Sequence, residues 1–262
     1  WNKAATAITT TDTFPKGASE VAFIGDKKIR IAGIAKGSGM IAPDMATMLS
    51  FIFTDANISS DVLQTLLSRN VQNTFNAITV DSDASTSDTL LLFATGAAKS
   101  MVPMSADDPI LKDFESALQS VMLNLAKQIV CDGEGAQKLI QVDVTGATSK
   151  KSAHKIGLAI ANSPLVKTAI AGGDANWGRV VMAVGKSGEK ADANNISVCF
   201  GKTTIAEKGA VVEGYDEAPV TEHLQGREIH LAVDVGLGNG KSTVWTCDLT
   251  HGYIQINADY RS

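Results

Sequence analysis

The apolar positions of this chain switch between a period of two and a period near 3.6, and the switches mark out its elements. Short apolar runs at 20–24 and 28–32 flank Gly25-Asp26, which predicts a hairpin. Residues 49–54 predict a buried strand, so the first part of the chain reads as β-rich. With Ser59 or Ser60 as its cap, Val62, Leu63, Leu66, Leu67 and Val71 share one side of a helix predicted to run to about Asn76. A polar stretch from Asp81 to Asp88 then precedes a strand at 90–94. The clearest helix is predicted over 109–129, where Leu111, Phe114, Leu118, Met122, Leu125 and Ile129 recur at helical spacing. Asp107 and Asp108 suit its N-terminus, and Pro109 suits its first turn.

A Gly133-Glu134-Gly135 turn follows, then an alternating strand at 139–144. Further helices are predicted at 149–161, stopped by Pro164, and at 177–184. From Ile196 onward strands dominate the reading, at 196–200, 203–206, 229–235, 242–246 and 253–257. There is no internal repeat and no low-complexity linker. Strands in blocks with long helices between them favour a layered α/β sandwich. Strict βαβ alternation is missing, which argues against a doubly wound parallel sheet.

Composition narrows the function classes. Hydrophobic residues at 44% against charged residues at 19% supply a core and exclude disorder. A net charge of −5 argues against nucleic acid as the main partner, since phosphate binding needs a basic face. No apolar run reaches roughly 18 residues, so no membrane span is expected. Cys131, Cys199 and Cys247 form no CxxC pair and read as reduced thiols of a cytoplasmic protein. Trp1-Asn2-Lys3-Ala4 has none of the features of a signal peptide and reads as the middle of something longer.

Several motifs fail on inspection. Gly236-Leu237-Gly238-Asn239-Gly240-Lys241-Ser242 has the wrong spacing for a phosphate loop, and a strand follows it where a helix is required; a glycine-rich hairpin is expected. Asp81-Ser82-Asp83-Ala84-Ser85 begins like a calcium loop but has Thr86 and Leu92 where Gly and Glu are needed, so a capped loop is expected. His154, His223, His230 and His251 lack metal-ligand spacing, and no metal or cofactor is expected. No GxSxG elbow occurs. The sequons at Asn57 and Asn195 read as chance.

One stretch stands apart. In Ala35-Lys36-Gly37-Ser38-Gly39-Met40-Ile41-Ala42-Pro43-Asp44-Met45-Ala46-Thr47-Met48-Leu49, a glycine-rich loop leads through small residues to a threonine and an apolar strand. By itself this is a loop entering a core strand. It resembles, however, the self-cleavage motif of the ornithine acetyltransferase (glutamate N-acetyltransferase) family. Further segments resemble that family in the same order. They are Thr9-Thr10-Thr11-Asp12-Thr13-Phe14-Pro15-Lys16, Ile78-Thr79-Val80-Asp81 with Ser85-Thr86-Ser87-Asp88-Thr89, and Asp132-Gly133-Glu134-Gly135-Ala136. Gly172-Gly173-Asp174-Ala175-Asn176-Trp177-Gly178-Arg179 and Ile256-Asn257-Ala258-Asp259-Tyr260-Arg261-Ser262 complete the series.

The resemblance implies an αββα-type sandwich and self-cleavage of the Ala46–Thr47 bond. Residues 1–46 would be the tail of one product chain and 47–262 the other. It implies acetyl transfer from N-acetylornithine to glutamate through acetyl-Thr47, releasing ornithine and N-acetylglutamate. Acetyl-CoA remains open as a second donor. Thr10, Lys36, Thr47, Glu134, Asn257 and Ser262 match the substrate-binding positions. The cleaved chains are expected to stay together as a heterodimer or higher oligomer. The sequence departs from the family in two places: the upstream Thr-Gly pair assigned to the oxyanion hole has no counterpart here, and Asp44 stands where Asn is more usual. Two other readings stay open: an amidase or aminopeptidase of the same self-cleaving fold, and a truncated, non-catalytic assembly module.

Overall fold

The computed structural model describes residues 1–42, 48–83 and 87–259 of the chain. Among them two compact units are distinguished, Trp1–Asp132 and Gly133–Ser262. This division follows packing and is a different kind of boundary from the peptide bond implied for cleavage.

The first unit opens with a short helix that periodicity did not predict, α1 (Asn2–Ala7). It continues through β1 (Lys16–Ile24), β2 (Lys27–Lys36), β3 (Leu49–Thr54), α2 (Ser60–Val71), β4 (Thr89–Ala94) and α3 (Lys112–Cys131). Its four strands lie in chain order; β1–β2 and β2–β3 are antiparallel and β3–β4 parallel. The expected hairpin closes with Ile24 opposite Lys27, and Gly25 takes φ +62°, the left-handed conformation its tight turn requires. The amphipathic stripe read from Phe114 to Ile129 is wholly buried, and α3 lies against β1 and β2. Gly33 permits that approach, since a Cβ there would sit 2.9 Å from Leu125 Cδ1.

Two helix ends differ from the periodicity. The predicted start at Pro109 is a 3₁₀ turn, Pro109–Leu111, whose Ile110 N–H is capped by Asp108. The helix expected to reach Asn76 stops at Val71. The Asn73 and Thr74 amides turn back to the carbonyls three residues earlier, and the Thr74 hydroxyl donates to Asn70 O at 2.8 Å. A 3₁₀ turn at Phe75–Ala77 follows.

The second unit holds β5 (Leu139–Ala147), α4 (Lys150–Ala161), α5 (Pro164–Ala171), α6 (Trp177–Lys186), β6 (Ser197–Phe200), β7 (Thr203–Glu207), β8 (Ala210–Val211), α7 (Ala218–Gln225), β9 (Glu228–Asp234), β10 (Gly240–Cys247) and α8 (His251–Asp259). The strand order is β10-β5-β9-β6-β7-β8, with only β5 and β9 parallel. α4 covers β10 and β5.

Three expectations are corrected here. Pro164 does not simply stop a helix: it occupies the first turn of α5, capped by Ser163, where its missing N–H costs nothing. The glycine-rich segment is not a hairpin, because β9 and β10 flank β5 on opposite sides. Its glycines carry the chain past the end of β5, with Leu237 and Gly238 N–H both donating to Gly146 O. Residues 253–257 are helical, within α8. The alternation of Tyr253, Ile254, Gln255 and Ile256 mimics a strand, but α8 buries no residue, and Thr250 starts the helix by accepting from Gly252 N–H through its hydroxyl.

The α/β class therefore holds, with one sheet and its covering helices in each unit. No described helix is long and apolar enough to cross a membrane.

Candidate active site

Lys36 is the last residue of β2 and leaves only 7% of its surface exposed. Its Nζ donates to Thr10 Oγ1 at 3.3 Å, and among the described residues this is its one hydrogen-bond acceptor. A lysine carries three N–H donors, so a nearly buried lysine with a single long bond has unused binding capacity. Thr10 itself is exposed. The structure thus brings together two of the residues singled out from the sequence.

Behind them lies a cluster that sequence reasoning gave no role. Lys16 is fully buried and reaches Asp12 Oδ1 at 2.6 Å and Asp132 Oδ2 at 2.5 Å, with both carboxylates almost entirely out of water. Asp12 also accepts from Gly37 N–H at 2.7 Å and Thr10 N–H at 3.1 Å. Asp132 accepts from the Thr13 amide and hydroxyl. Burial pushes the Asp12 carboxyl up, but the hydrogen bonds from Gly37, Lys16 and Thr10 and the charge of Lys16 outweigh it, so its pKa falls below the ordinary carboxylate value. The sequence signal was the placement of Asp12 and Lys16 inside one family-like segment and of Asp132 at the start of another.

Ala46 and Thr47 lie outside the described residues, as does Ser262. The chain on either side of 43–47 is held by aspartates. Asp81 accepts from Met40 N–H at 2.7 Å and Ile41 N–H at 3.0 Å, while Ile41 O accepts from Val80 N–H at 2.8 Å. Asp81 is thus a cap, as the failed calcium motif suggested. Asp88 Oδ1 accepts from Met48 N–H at 2.8 Å, and its Oδ2 is buried without a hydrogen-bond partner among the described residues. Burial raises the Asp88 pKa, and the Met48 amide only partly offsets it.

In the second unit Glu134 Oε2 accepts from Asn257 Nδ2 at 2.7 Å. Glu134 is half-buried and Asn257 exposed on α8. Glycine makes this contact possible. Gly135 takes φ +73°, and a Cβ on it would lie 2.4 Å from Tyr253 N, so only glycine lets α8 begin so close to the Glu134 turn. Thr250 Oγ1 fastens the approach by donating to Gly135 O at 2.6 Å.

A further polar network occupies one face of the same unit's sheet. Asp143 accepts from Thr243 Oγ1, from Gln141 Nε2 at 3.0 Å and from His230 Nε2 at 2.5 Å. Burial raises its pKa, but these donors outweigh it and the net shift is downward. This gives His230 a hydrogen-bonded place in the sheet. Among the described residues, no group of His, Cys, Asp or Glu is arranged to hold a metal ion.

A model described as the ArgJ family matches residues 2–262, nearly the whole chain. The chain belongs to the ArgJ family. Among its ArgJ relatives, the arginine biosynthesis bifunctional protein ArgJ of Gluconobacter oxydans (strain 621H) is 60% identical over 262 residues, covering 100% of this chain and 62% of that protein. The protein of the same name from Brucella suis biovar 1 (strain 1330) is 58% identical over 265 residues, covering 100% of this chain and 64% of that protein. The chain therefore spans somewhat less than two thirds of the length of these ArgJ proteins. A solved structure, the arginine biosynthesis bifunctional protein argJ of Bacillus halodurans, superposes with a TM-score of 0.79 at 42% identity, over 82% of this chain and 100% of that one. The family resemblance read from the sequence segments is borne out.

Proposed function

We propose that this chain carries the nucleophile and substrate-binding residues of a self-cleaving glutamate N-acetyltransferase of arginine biosynthesis. The observation that carries the reading is the nearly buried Lys36, whose Nζ has, among the described residues, one long hydrogen bond, to Thr10, in a member of the ArgJ family. Both implied substrates are amino acids, and a desolvated lysine beside a hydroxyl is a receptor for a carboxylate.

Cleavage begins with attack of the Thr47 hydroxyl on the Ala46 carbonyl carbon. The peptide C–N bond breaks as the ester forms, which frees the Thr47 α-amino group, and water then hydrolyses the ester to release the Ala46 carboxylate and restore the Thr47 hydroxyl. That amine has an ordinary pKa of about 7.7–8.0, so a large neutral fraction exists near pH 7. It takes the hydroxyl proton as Thr47 Oγ attacks the acetyl carbonyl of N-acetylornithine. Ornithine leaves with the proton, and acetyl-Thr47 remains. The amine of glutamate then attacks the ester, N-acetylglutamate departs, and the hydroxyl is restored. One amino acid occupies the site at a time. Lys36 pairs with the substrate carboxylate, Glu134 with an ammonium or the proton in transfer, and Thr10, Asn257 and Ser262 supply hydrogen bonds. The two product chains remain partners after cleavage. The reaction runs in the cytoplasm; none of the three cysteines is in a disulfide, which suits a reducing compartment.

Intact-mass analysis of the full-length protein before and after addition of N-acetylornithine tests the reading. The expected result is two chains split at Ala46–Thr47, with one acetyl group added to the chain beginning at Thr47. An uncleaved chain that still transfers acetyl, or full activity in Thr47→Val, overturns it. Transfer that proceeds equally well to water without glutamate would mark an amidase instead.

A further inference from the structure

We propose that Asp12 is a positioning residue for the substrate-carboxylate site, a claim that rests on the reading of Thr10 and Lys36 as substrate-binding residues. That site is assembled from two segments distant in sequence, the stretch before β1 and the end of β2. One carboxylate joins them. Asp12 Oδ2 accepts from Thr10 N–H at 3.1 Å, and Oδ1 accepts from Gly37 N–H at 2.7 Å, the amide that follows Lys36 directly. A second tie runs alongside, where the Thr11 and Ser38 hydroxyls meet at 2.7 Å.

The carboxylate is itself immobilised. Lys16 Nζ grips Oδ1 at 2.6 Å and turns to Asp132 on its far side at 2.5 Å. The Asp12 side chain has 0% exposure, as has that of Lys16, so water does not compete for these bonds. Lys16, Asp12, Asp132 and Lys36 carry two formal charges of each sign in one unit. Among the described residues Lys36 therefore keeps a single hydroxyl contact while Lys16 pairs with the carboxylates behind it. A substrate carboxylate would then be the further acceptor that Lys36 lacks among the described residues.

The Asp12→Asn variant separates positioning from bulk stability. With its Oδ1 kept toward Gly37 and Lys16, the new amide presents its NH₂ to the Thr10 N–H, donor against donor. Thr10 should lose its anchor while Lys36 stays buried. In the full-length protein we expect KM for N-acetylornithine and for glutamate to rise about tenfold or more, with kcat within about twofold. Asp55→Asn is the structural control. Its carboxylate anchors Arg30 N–H at 2.8 Å elsewhere in the same sheet, and its loss should leave both constants unchanged.

Unchanged KM in a folded Asp12→Asn protein overturns the proposal, and so does an equal rise in Asp55→Asn. Where Asp12→Asn does not fold, hydrogen exchange of the wild-type protein decides. The Thr10 and Gly37 amides should be protected to the level of the β2 ladder, and exchange at loop rates overturns the proposal. Lys36→Ala is measured in parallel. If its KM is unchanged, the reading of the site fails; if its KM rises while that of Asp12→Asn does not, only the positioning role fails.

Discussion

The two pairs of candidate binding residues show opposite ways of holding a polar side chain in place. Thr10 and Lys36 are backed by Lys16, Asp12 and Asp132, a buried cluster in which charge and hydrogen bonds set the geometry. Glu134 sits in a turn and Asn257 on an exposed helix, and their geometry is set by sterics: two backbones approach at Gly135 and Gly252 more closely than any side chain allows. The first device depends on electrostatics in a place without water. The second depends on the absence of a Cβ. They should therefore fail under different substitutions.

Breaking the charged device has the largest expected effect on stability. Lys16→Met leaves two buried carboxylates without their counter-ion and should cost about 3–5 kcal/mol, read as a lowered midpoint in urea unfolding. Gly135→Ala comes next. It forces an L side chain into φ +73° and against Tyr253 N, which should cost about 1–3 kcal/mol and weaken glutamate use through displacement of α8. Thermal unfolding together with KM for glutamate checks both parts. Asn257→Ala, on the exposed helix, should change stability by no more than about 0.5 kcal/mol while raising KM, so that a large drop in melting temperature would contradict the steric account.

The smallest effects are those of pH, and they differ in sign. The Asp12 pKa is depressed, so its contribution is complete above the unfolded value of about 3.9 and disappears only as pH falls through the lower folded value. Melting curves should show no loss of the Asp12 contribution down to about pH 4. Asp88 has a raised pKa, so its ionisation opposes folding as pH rises through that value. Asp88→Asn should be slightly more stable than wild type at pH 7, and the gain should vanish below about pH 4, where both side chains are neutral. A gain independent of pH would show that burial of the charge is not its cause.

Much of this was legible in advance. The hairpin at Gly25-Asp26, the strand at Leu49–Thr54 and the stripe from Phe114 to Ile129 all appear where periodicity put them, because each buries one face against its own unit. The order of the family-like segments marked Thr10, Lys36, Glu134 and Asn257 before any contact was known. Legibility failed where burial gives no period. α8 buries nothing, so its apolar residues alternated without meaning. Pro164 reads equally as a stop and as a start until Ser163 is seen to cap the helix after it.

From its sequence alone the chain reads as an α/β protein resembling one family, since local periodicity and the order of short motifs are written residue by residue along it. Tertiary structure decided which strands are neighbours. β9 and β10 adjoin in the chain yet are parted by β5, and a glycine-rich segment cannot announce whether it turns back or crosses over. It also decided that Asp12, Lys16 and Asp132 are one object. The last is 116 positions from Lys16 along the chain. Their meaning lies in a shared desolvated space, and desolvation is a property of what surrounds a charge and of no single position in the sequence.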